Sequence, residues 1–264
     1  MTQRMELMPG VWLNSVKSER FKTGCFSINL LQPLQEESAA PNALIPSVLL
    51  RGCDAYPNMT AISSCLDRMY GASVGTLVRK KGEVQTVGLY ADFLEDCFAG
   101  EPLFAQVMEL LGQLLFDSCL ENDGFVEEFT SGERQNLSNT IASRLNDKRA
   151  YAVSKLLKNM CPGEAYAVPR LGTAESLAQV NGKNLGGRYL QLLANSPIEI
   201  FYLGRQDTDV VAKTVVNMLS RLPQGVRRPL STETAWACHP VHHVQESLDV
   251  TQGKLAMGLR TDIT

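Results

Sequence analysis

The order in which strand-like and helix-like segments follow one another is the feature that most constrains the fold of this chain. Two β-prone pieces at 10–34 open it, and a strand–turn–strand pattern at 72–93 follows two helix-like segments. A long helical region then precedes a short and mostly apolar segment, "IEIFYLG", which is typical of a buried strand. We therefore expect an α+β fold, with a mostly antiparallel sheet covered by helices on one face.

Local patterns give more specific expectations. The polar "KSER" divides "GVWLNSV" from "FKTGCFSINLLQPL", which predicts a hairpin within 10–34. Pro46 cannot donate a helical hydrogen bond, so the helix that covers 43–52 is expected to start near it. Further helices are predicted over 59–70, 102–118, 124–158, 173–180, 184–194 and the segment "DTDVVAKTVVNMLSRL", which an aspartate could cap.

Composition and charge exclude several partners. The net charge of −3 gives no sign of a basic binding surface, which argues against nucleic acid as a partner. No apolar run approaches the ~18 residues of a membrane span, and the N-terminus lacks the apolar region of a signal peptide. Seven cysteines are dispersed without a C-x-x-C pair, as in reduced proteins. The sequence therefore predicts a cytoplasmic protein with neither nucleic acid nor membrane as a partner.

The composition and periodicity of the sequence change after its first 220 residues. The segment around 225–240 is rich in proline and has little periodicity, so we interpret it as a linker. Residues 1–224 then form one domain, and 241–264 are expected to be the first strands of an incomplete second domain. A stub of this length cannot form its own core, so it either packs back on the first domain or lacks most of its own.

Several segments together resemble the insulinase (pitrilysin) family of zinc metallopeptidases. "ALIPSVLLRGCDAYPN" is similar to the inverted zinc helix of the family and the turn after it. "LDRMYGASVGTLVRKKGEVQTVGLYADFLED", "ERQNLSNTIASRLNDKRAYA" and "LGTAESLAQVNGKNLGGRYLQLLANSPIEIFYLG" follow in the family's order. The resemblance implies the N-terminal half of such a protein, with the metallopeptidase-like α/β roll.

The resemblance also implies where a zinc site would lie, and the chain departs from the family there. In active members an H-x-x-E-H motif supplies two histidine ligands and a general base. The motif falls at 43–47 of this chain, where the histidines are replaced by Ala43 and Ser47 and the base by Pro46. Alanine and proline have no donor atom, and a hydroxyl is a poor zinc ligand.

The third ligand of the family comes from a later helix. Glu133 matches the earlier of two family glutamates, and the metal-binding one, seven residues on, falls on Thr140. All four roles are therefore vacant, and we expect no catalytic residues and no cofactor. Zinc is expected only if an alternative set of ligands exists.

The segments "MYGAS", "KKGEVQ" and "NDKRAYA" look most similar to bacterial non-catalytic members that occur with a separate active subunit. The resemblance implies a polypeptide-binding subunit of a paired, heterodimeric peptidase, with an active insulinase-family subunit and an extended peptide as its partners. By analogy with active relatives, the peptide would add to an exposed strand at Ser73, Val74, Gly75, Thr76 and Leu77.

Two alternatives stay open. The chain could be an active zinc metalloendopeptidase with atypical ligands, or a scaffold that only assembles with itself or a partner. The weak metal candidates are His239, His242 and His243 in "CHPVHH", but the proline and the linker position argue against a helix that would bring them together. A solvated cluster is the simpler interpretation of these histidines.

Overall fold

The structure is a computed structural model that describes residues 2–118, 120–121, 124–231 and 240–261. Its strands are β1 (Thr2–Met8), β2 (Val11–Lys17), β3 (Thr23–Pro33), β4 (Ser73–Lys81), β5 (Val84–Leu94), β6 (Leu120–Glu121), β7 (Gly124–Phe125) and β8 (Ile198–Gly204). Its α-helices are α1 (Glu36–Leu49), α2 (Met59–Arg68), α3 (Asp96–Ala99), α4 (Leu103–Phe116), α5 (Glu127–Ser143), α6 (Lys148–Met160), α7 (Ala174–Ala178), α8 (Gly182–Asn195) and α9 (Thr208–Met218).

Six of the strands form one sheet in the order β1-β2-β8-β3-β5-β4, and every neighbouring pair except β2 with β8 is antiparallel. Alternate residues of these strands, such as Leu13, Ile200 and Phe26, are buried in a core shared with helices. The opposite face is more open, and Phe201 there is 50% exposed. The predicted α+β fold, with a mostly antiparallel sheet and helices on one face, is confirmed.

The hairpin predicted within 10–34 is wrong. Strands β2 and β3 do not pair with each other, because β8 lies between them, parallel to β2 and antiparallel to β3. The true hairpin at this end joins β1 to β2 through a turn at Gly10, whose φ is +74°. The polar β1 gave no strand signal, and an inserted strand from 198–204 cannot be predicted from local residues.

The start of the first helix is also corrected. Helix α1 begins at Glu36, ten residues before Pro46, and both Pro41 and Pro46 lie inside it. Each proline costs a helical hydrogen bond. Burial compensates for this cost, since nine of the fourteen residues of α1 are buried. The side chain of Asn42 also forms hydrogen bonds with Gln85 and Arg188.

Other predicted helices agree with the structure within a few residues, but the long region at 124–158 is divided. Strand β7 and helices α5 and α6 replace the single element, and Asp147 starts α6 by accepting hydrogen bonds from the amides of Arg149 and Ala150. Within the described ranges no helix has the length and apolar content that a membrane crossing requires.

The C-terminal segment contacts α6. Glu246 accepts a hydrogen bond from the Tyr151 hydroxyl at 2.8 Å and lies 3.1 Å from Lys155 Nζ. Arg260 pairs with Glu164 just beyond the same helix. Residues 240–261 contain neither helix nor strand, and the predicted division into a domain at 1–224, a linker at 225–240 and a second domain from 241 stays a prediction.

Candidate functional site

Strand β4 lies at one edge of the sheet and pairs with β5 alone among the described strands. The two strands are joined by Gly82 and Glu83, which lie between the paired residues Lys81 and Val84. Gly82 has φ +57°, the conformation that a two-residue type II′ turn needs at its first central position. This turn fixes the register of the whole edge.

The register decides which backbone groups of β4 are free to bind a further strand. The residues that flank a two-residue turn form a hydrogen-bonded pair, and such pairs alternate along an antiparallel ladder. Starting from Lys81, the amides and carbonyls of Ser73, Gly75 and Leu77 therefore point toward β5. Those of Val74 and Thr76 point away from the sheet, and no described backbone group pairs with them.

The side chains alternate in the same way. Val74 and Thr76 stand opposite Ala91 and Leu89 of β5, which are buried on the helix-covered face. Thr76 is nevertheless exposed, so the edge is open on the side where the helices lie. Gly75 is on the other face, where the Tyr90 ring occupies the position that a Cβ would take.

The open part of the edge ends at Val78. Arg170 Nη1 donates a hydrogen bond to the outward carbonyl of Val78 at 2.8 Å. Lys80 Nζ donates to the carbonyls of Tyr166 and Val168, and lies 4.7 Å from the centre of the Tyr166 ring. The loop before α7 therefore covers the last residues of β4 and leaves the stretch around Val74 and Thr76 uncovered.

The four positions assigned to the vestigial zinc site lie on α1 and α5. Ala43 and Pro46 are buried, and Ser47 is half-buried. Thr140 is exposed near the end of α5, and its hydroxyl donates to the carbonyl of Asn136 at 2.9 Å. The hydrogen bonds of the described residues do not join any two of these four positions.

Glu133 on α5, which matches the earlier of the two family glutamates, forms an ion pair with Arg51. Its carboxylate lies 3.5 Å from Arg51 Nη1, and only 14% of its side chain is exposed. Arg51 also packs 5.9 Å from the centre of the Phe129 ring. This pair joins the turn after α1 to α5, so the carboxylate balances an arginine charge rather than standing free.

The donors at these positions do not fit a zinc ion. Two of the residues have no donor atom, the other two offer only hydroxyls, and a structural or catalytic zinc needs three or four imidazole, thiolate or carboxylate ligands. Within the part of the chain that the structure describes, no three histidine, cysteine or acidic side chains group in a way that could hold a metal. The assignment of the four positions itself rests on the resemblance and stays a prediction.

The histidine cluster is only partly described. His242 and His243 are exposed in a segment without regular structure, and His239 lies outside the described residues. The structure therefore does not test these weak metal candidates.

A cavity of about 220 Å³ between α2 and α4 is a separate feature. Its lining includes Arg68, Glu109 and the buried Cys65. A hydrogen bond to Cys65 and then burial raise the pKa of Tyr56 to about 12. No hydrogen bond or ion pair of the described residues joins these groups to β4.

The six-stranded, mostly antiparallel sheet and its helices define the class of fold, that of an M16-peptidase-like domain. Among known proteins, the chain is similar to one that is named an inactive metalloprotease. The chain is 27% identical over 257 residues to the "Probable inactive metalloprotease YmfF" of Bacillus subtilis (strain 168). The match covers 97% of this chain and 60% of that protein, so the chain spans less than two thirds of its relative's length.

Solved structures support the same fold. A conserved protein from Enterococcus faecalis V583 matches with a TM-score of 0.80 and 23% identity, over 87% of this chain and 54% of that one. A peptidase M16 inactive domain from Pseudomonas fluorescens matches with a TM-score of 0.68 and 13% identity, over 89% and 54%. No family model matches the chain.

Sequence reasoning missed the cations at the end of β4. Lys80 was visible only as part of a charged turn, while Arg170 is separated from Val78 by 92 residues. Arg170 stands two residues before Gly172, where φ is +65°, in a segment with no motif of its own. A signal for these residues exists only once the sheet register is known.

Proposed function

We propose that this chain is a non-catalytic, polypeptide-binding subunit of a paired peptidase. The observation that carries the proposal is the edge of β4, where Val74 and Thr76 direct unpaired backbone groups outward. An extended peptide can add to such an edge through main-chain hydrogen bonds, which demand little of the peptide's side chains. The predicted substrate residues Ser73–Leu77 thus divide into two that bind the peptide backbone and three that hold the strand in the sheet.

The absence of zinc donors in the aligned positions supports a role in binding rather than in hydrolysis. The printed name of the Bacillus subtilis relative, a probable inactive metalloprotease, agrees with this proposal. An active insulinase-family subunit with an intact H-x-x-E-H motif would supply the chemistry. We expect the two chains to act together on unfolded polypeptides in the cytoplasm.

The backbone interaction can be tested with a peptide that carries no charge near its ends. The probe is a ten-residue peptide of alternating threonine and valine, acetylated at its N-terminus and amidated at its C-terminus, and its binding is followed by isothermal titration calorimetry. Thr76→Pro removes the outward N–H of β4 without touching the ladder to β5, a replacement that edge strands accept. Thr76→Val keeps the N–H and is the matched control.

We expect Thr76→Pro to weaken binding of the peptide roughly tenfold, because one hydrogen bond is lost and because the proline ring blocks the approach of the peptide backbone. Thr76→Val should bind as the unaltered chain does, and both variants should melt near its temperature. Equal binding by all three proteins would exclude β4 as the peptide site. A chelator-washed chain that still held one zinc and cleaved the peptide would overturn the non-catalytic role.

The partnership needs a separate experiment. Mixing the chain with an active subunit should increase cleavage of an unstructured reporter and give a 1:1 complex by analytical ultracentrifugation. A chain that neither associates with such a subunit nor alters its activity would contradict the pairing, although it could still bind peptide.

A further inference from the structure

Three cationic side chains gather at the closed end of the β4 edge. Arg170 is bound to the Val78 carbonyl, and Lys80 is held by two carbonyls of the loop before α7. Arg144 lies half-buried in the short turn between α5 and α6, close enough to Arg170 for the two charges to repel each other. The three come from separate parts of the sequence and meet only in the fold.

These charges are not balanced within the part of the chain that the structure describes. None of the three cations forms an ion pair with a carboxylate there, whereas Arg51, Arg4 and Arg221 each do. Burial lowers the pKa of Lys80, and burial followed by the charge of Arg170 lowers the pKa of Arg144. A partly desolvated cluster of like charges gains most from an anion brought in by a ligand.

The cluster is placed where a bound peptide would reach it. Val78 is two residues beyond Thr76, so a strand paired to Val74 and Thr76 meets Arg170 after about 7 Å at the usual rise of ~3.3 Å per residue. The single hydrogen bond to Val78 uses one of the five N–H groups of the guanidinium. The remaining donors suit the two oxygens of a carboxylate.

We propose that Arg170 and Arg144, assisted by Lys80, form a carboxylate-binding subsite that anchors one end of the extended peptide on β4. This inference rests on the proposed function, because it needs the peptide to lie along the edge. The carboxylate has two sources. A C-terminal carboxylate reaches the subsite when the peptide runs parallel to β4, and an acidic side chain near the peptide's N-terminus reaches it when the peptide runs antiparallel.

Four versions of the threonine–valine peptide separate these sources. The C-terminus is either free or amidated, and the second residue is either glutamate or glutamine. The version with an amide and a glutamine carries neither carboxylate, and it serves as the neutral probe in this comparison. We expect one of the two single-carboxylate peptides to bind at least about tenfold more tightly than this neutral probe, as a charge-assisted hydrogen bond would give.

Variants of the protein locate the effect. Arg170→Gln and Arg144→Gln should each remove most of the preference for the carboxylate while leaving binding of the neutral probe within about twofold. Arg79→Gln is the matched control, since it removes the same charge from an exposed residue of β4 whose side chain points to the opposite face. Arg170→Lys keeps the charge without the fork of donors, and we expect it to recover only part of the preference.

The outcomes distinguish the two proposals. If the neutral probe binds and the carboxylates add nothing, the subsite is excluded and the β4 proposal stands. A preference that survives Arg170→Gln and Arg144→Gln, or that Arg79→Gln reduces equally, would also exclude the subsite. If none of the four peptides binds, both proposals fail. Melting curves of each variant show that it is folded, and the comparison of peptides on the unaltered chain does not depend on any variant.

Discussion

The buried polar contacts of Asn42 give the sharpest prediction about how α1 keeps its place beside the edge strand. Asn42 is fully buried, and its Nδ2 donates to Gln85 Oε1 at 3.0 Å. Its Oδ1 accepts from Arg188 Nε at 2.9 Å. Gln85 in turn donates to the carbonyls of Ala39 and Arg170. Through Asn42, therefore, α1 is tied to both β5 and α8.

Asn42→Ala removes both contacts and leaves their partners in place. Gln85 is fully buried, so its Oε1 would lose its donor with no access to water, at a cost of about 1–3 kcal/mol. The half-buried Arg188 Nε loses its acceptor at a smaller cost, since solvent screens it. The better helix propensity of alanine returns about 0.5 kcal/mol. We therefore expect the free energy of unfolding to fall by about 1–3 kcal/mol.

Urea denaturation followed by circular dichroism measures this change. With a slope of about 2–3 kcal/mol per molar, the midpoint should fall by about 1 M at an unchanged slope. Asn159→Ala is the matched control, since Asn159 is exposed on α6 and, among the described residues, its side chain bonds only to the carbonyl of Lys155. We expect that variant to stay within about 0.5 kcal/mol. An Asn42→Ala midpoint equal to that of the control would refute the reasoning.

Two further predictions concern stability. Gly88→Ala should lower the free energy of unfolding by more than about 2 kcal/mol in urea denaturation, because the new Cβ would overlap the Ile28 carbonyl. Gly187 lies in open space on α8, so Gly187→Ala should raise the free energy of unfolding by up to about 1 kcal/mol. Equal effects of the two substitutions would contradict the packing argument. Burial raises the pKa of Glu95, so its charge is a cost in the folded state that grows as pH rises above the ordinary range of a carboxyl group. Glu95→Gln, which can still accept from the Arg205 amide, should therefore raise the melting temperature at pH 7 and lose that gain near pH 4, and a gain independent of pH would contradict this cause.

Much of the fold could be predicted where a residue pattern is decided locally. "IEIFYLG" is apolar except for Glu199, and this strand, β8, lies in the middle of the sheet between β2 and β3. Helix α4 was predicted over 102–118 and spans Leu103–Phe116, since its apolar residues repeat at helical spacing. In both elements the pattern of buried residues can be recognised from positions that are close together in the sequence.

The failures occurred where distant residues decide the structure. The pairing of β2 depends on a strand almost 190 residues later, so the local hairpin signal was misleading. Helix α1 passes through Pro46 because contacts with β5 and α8 hold it, and a proline rule cannot include them.

The candidate site shows the same division. The resemblance placed it on Ser73–Leu77, but which of those residues face outward follows from the turn at Gly82, and the cations beyond Val78 follow from the packing of the loop before α7. Sequence could therefore suggest the strand, while only the register separates the residues proposed to bind a peptide from those that hold the strand in the sheet.

The most direct test of the proposed role is residue-resolved amide hydrogen exchange of β4, with and without the neutral peptide. The account predicts that the outward amides of Val74 and Thr76 exchange quickly in the free chain and become protected when the peptide binds. The amides of Gly75 and Leu77, which already bond to β5, should be protected in both states. Peptide binding that leaves Val74 and Thr76 unprotected would contradict strand addition at this edge.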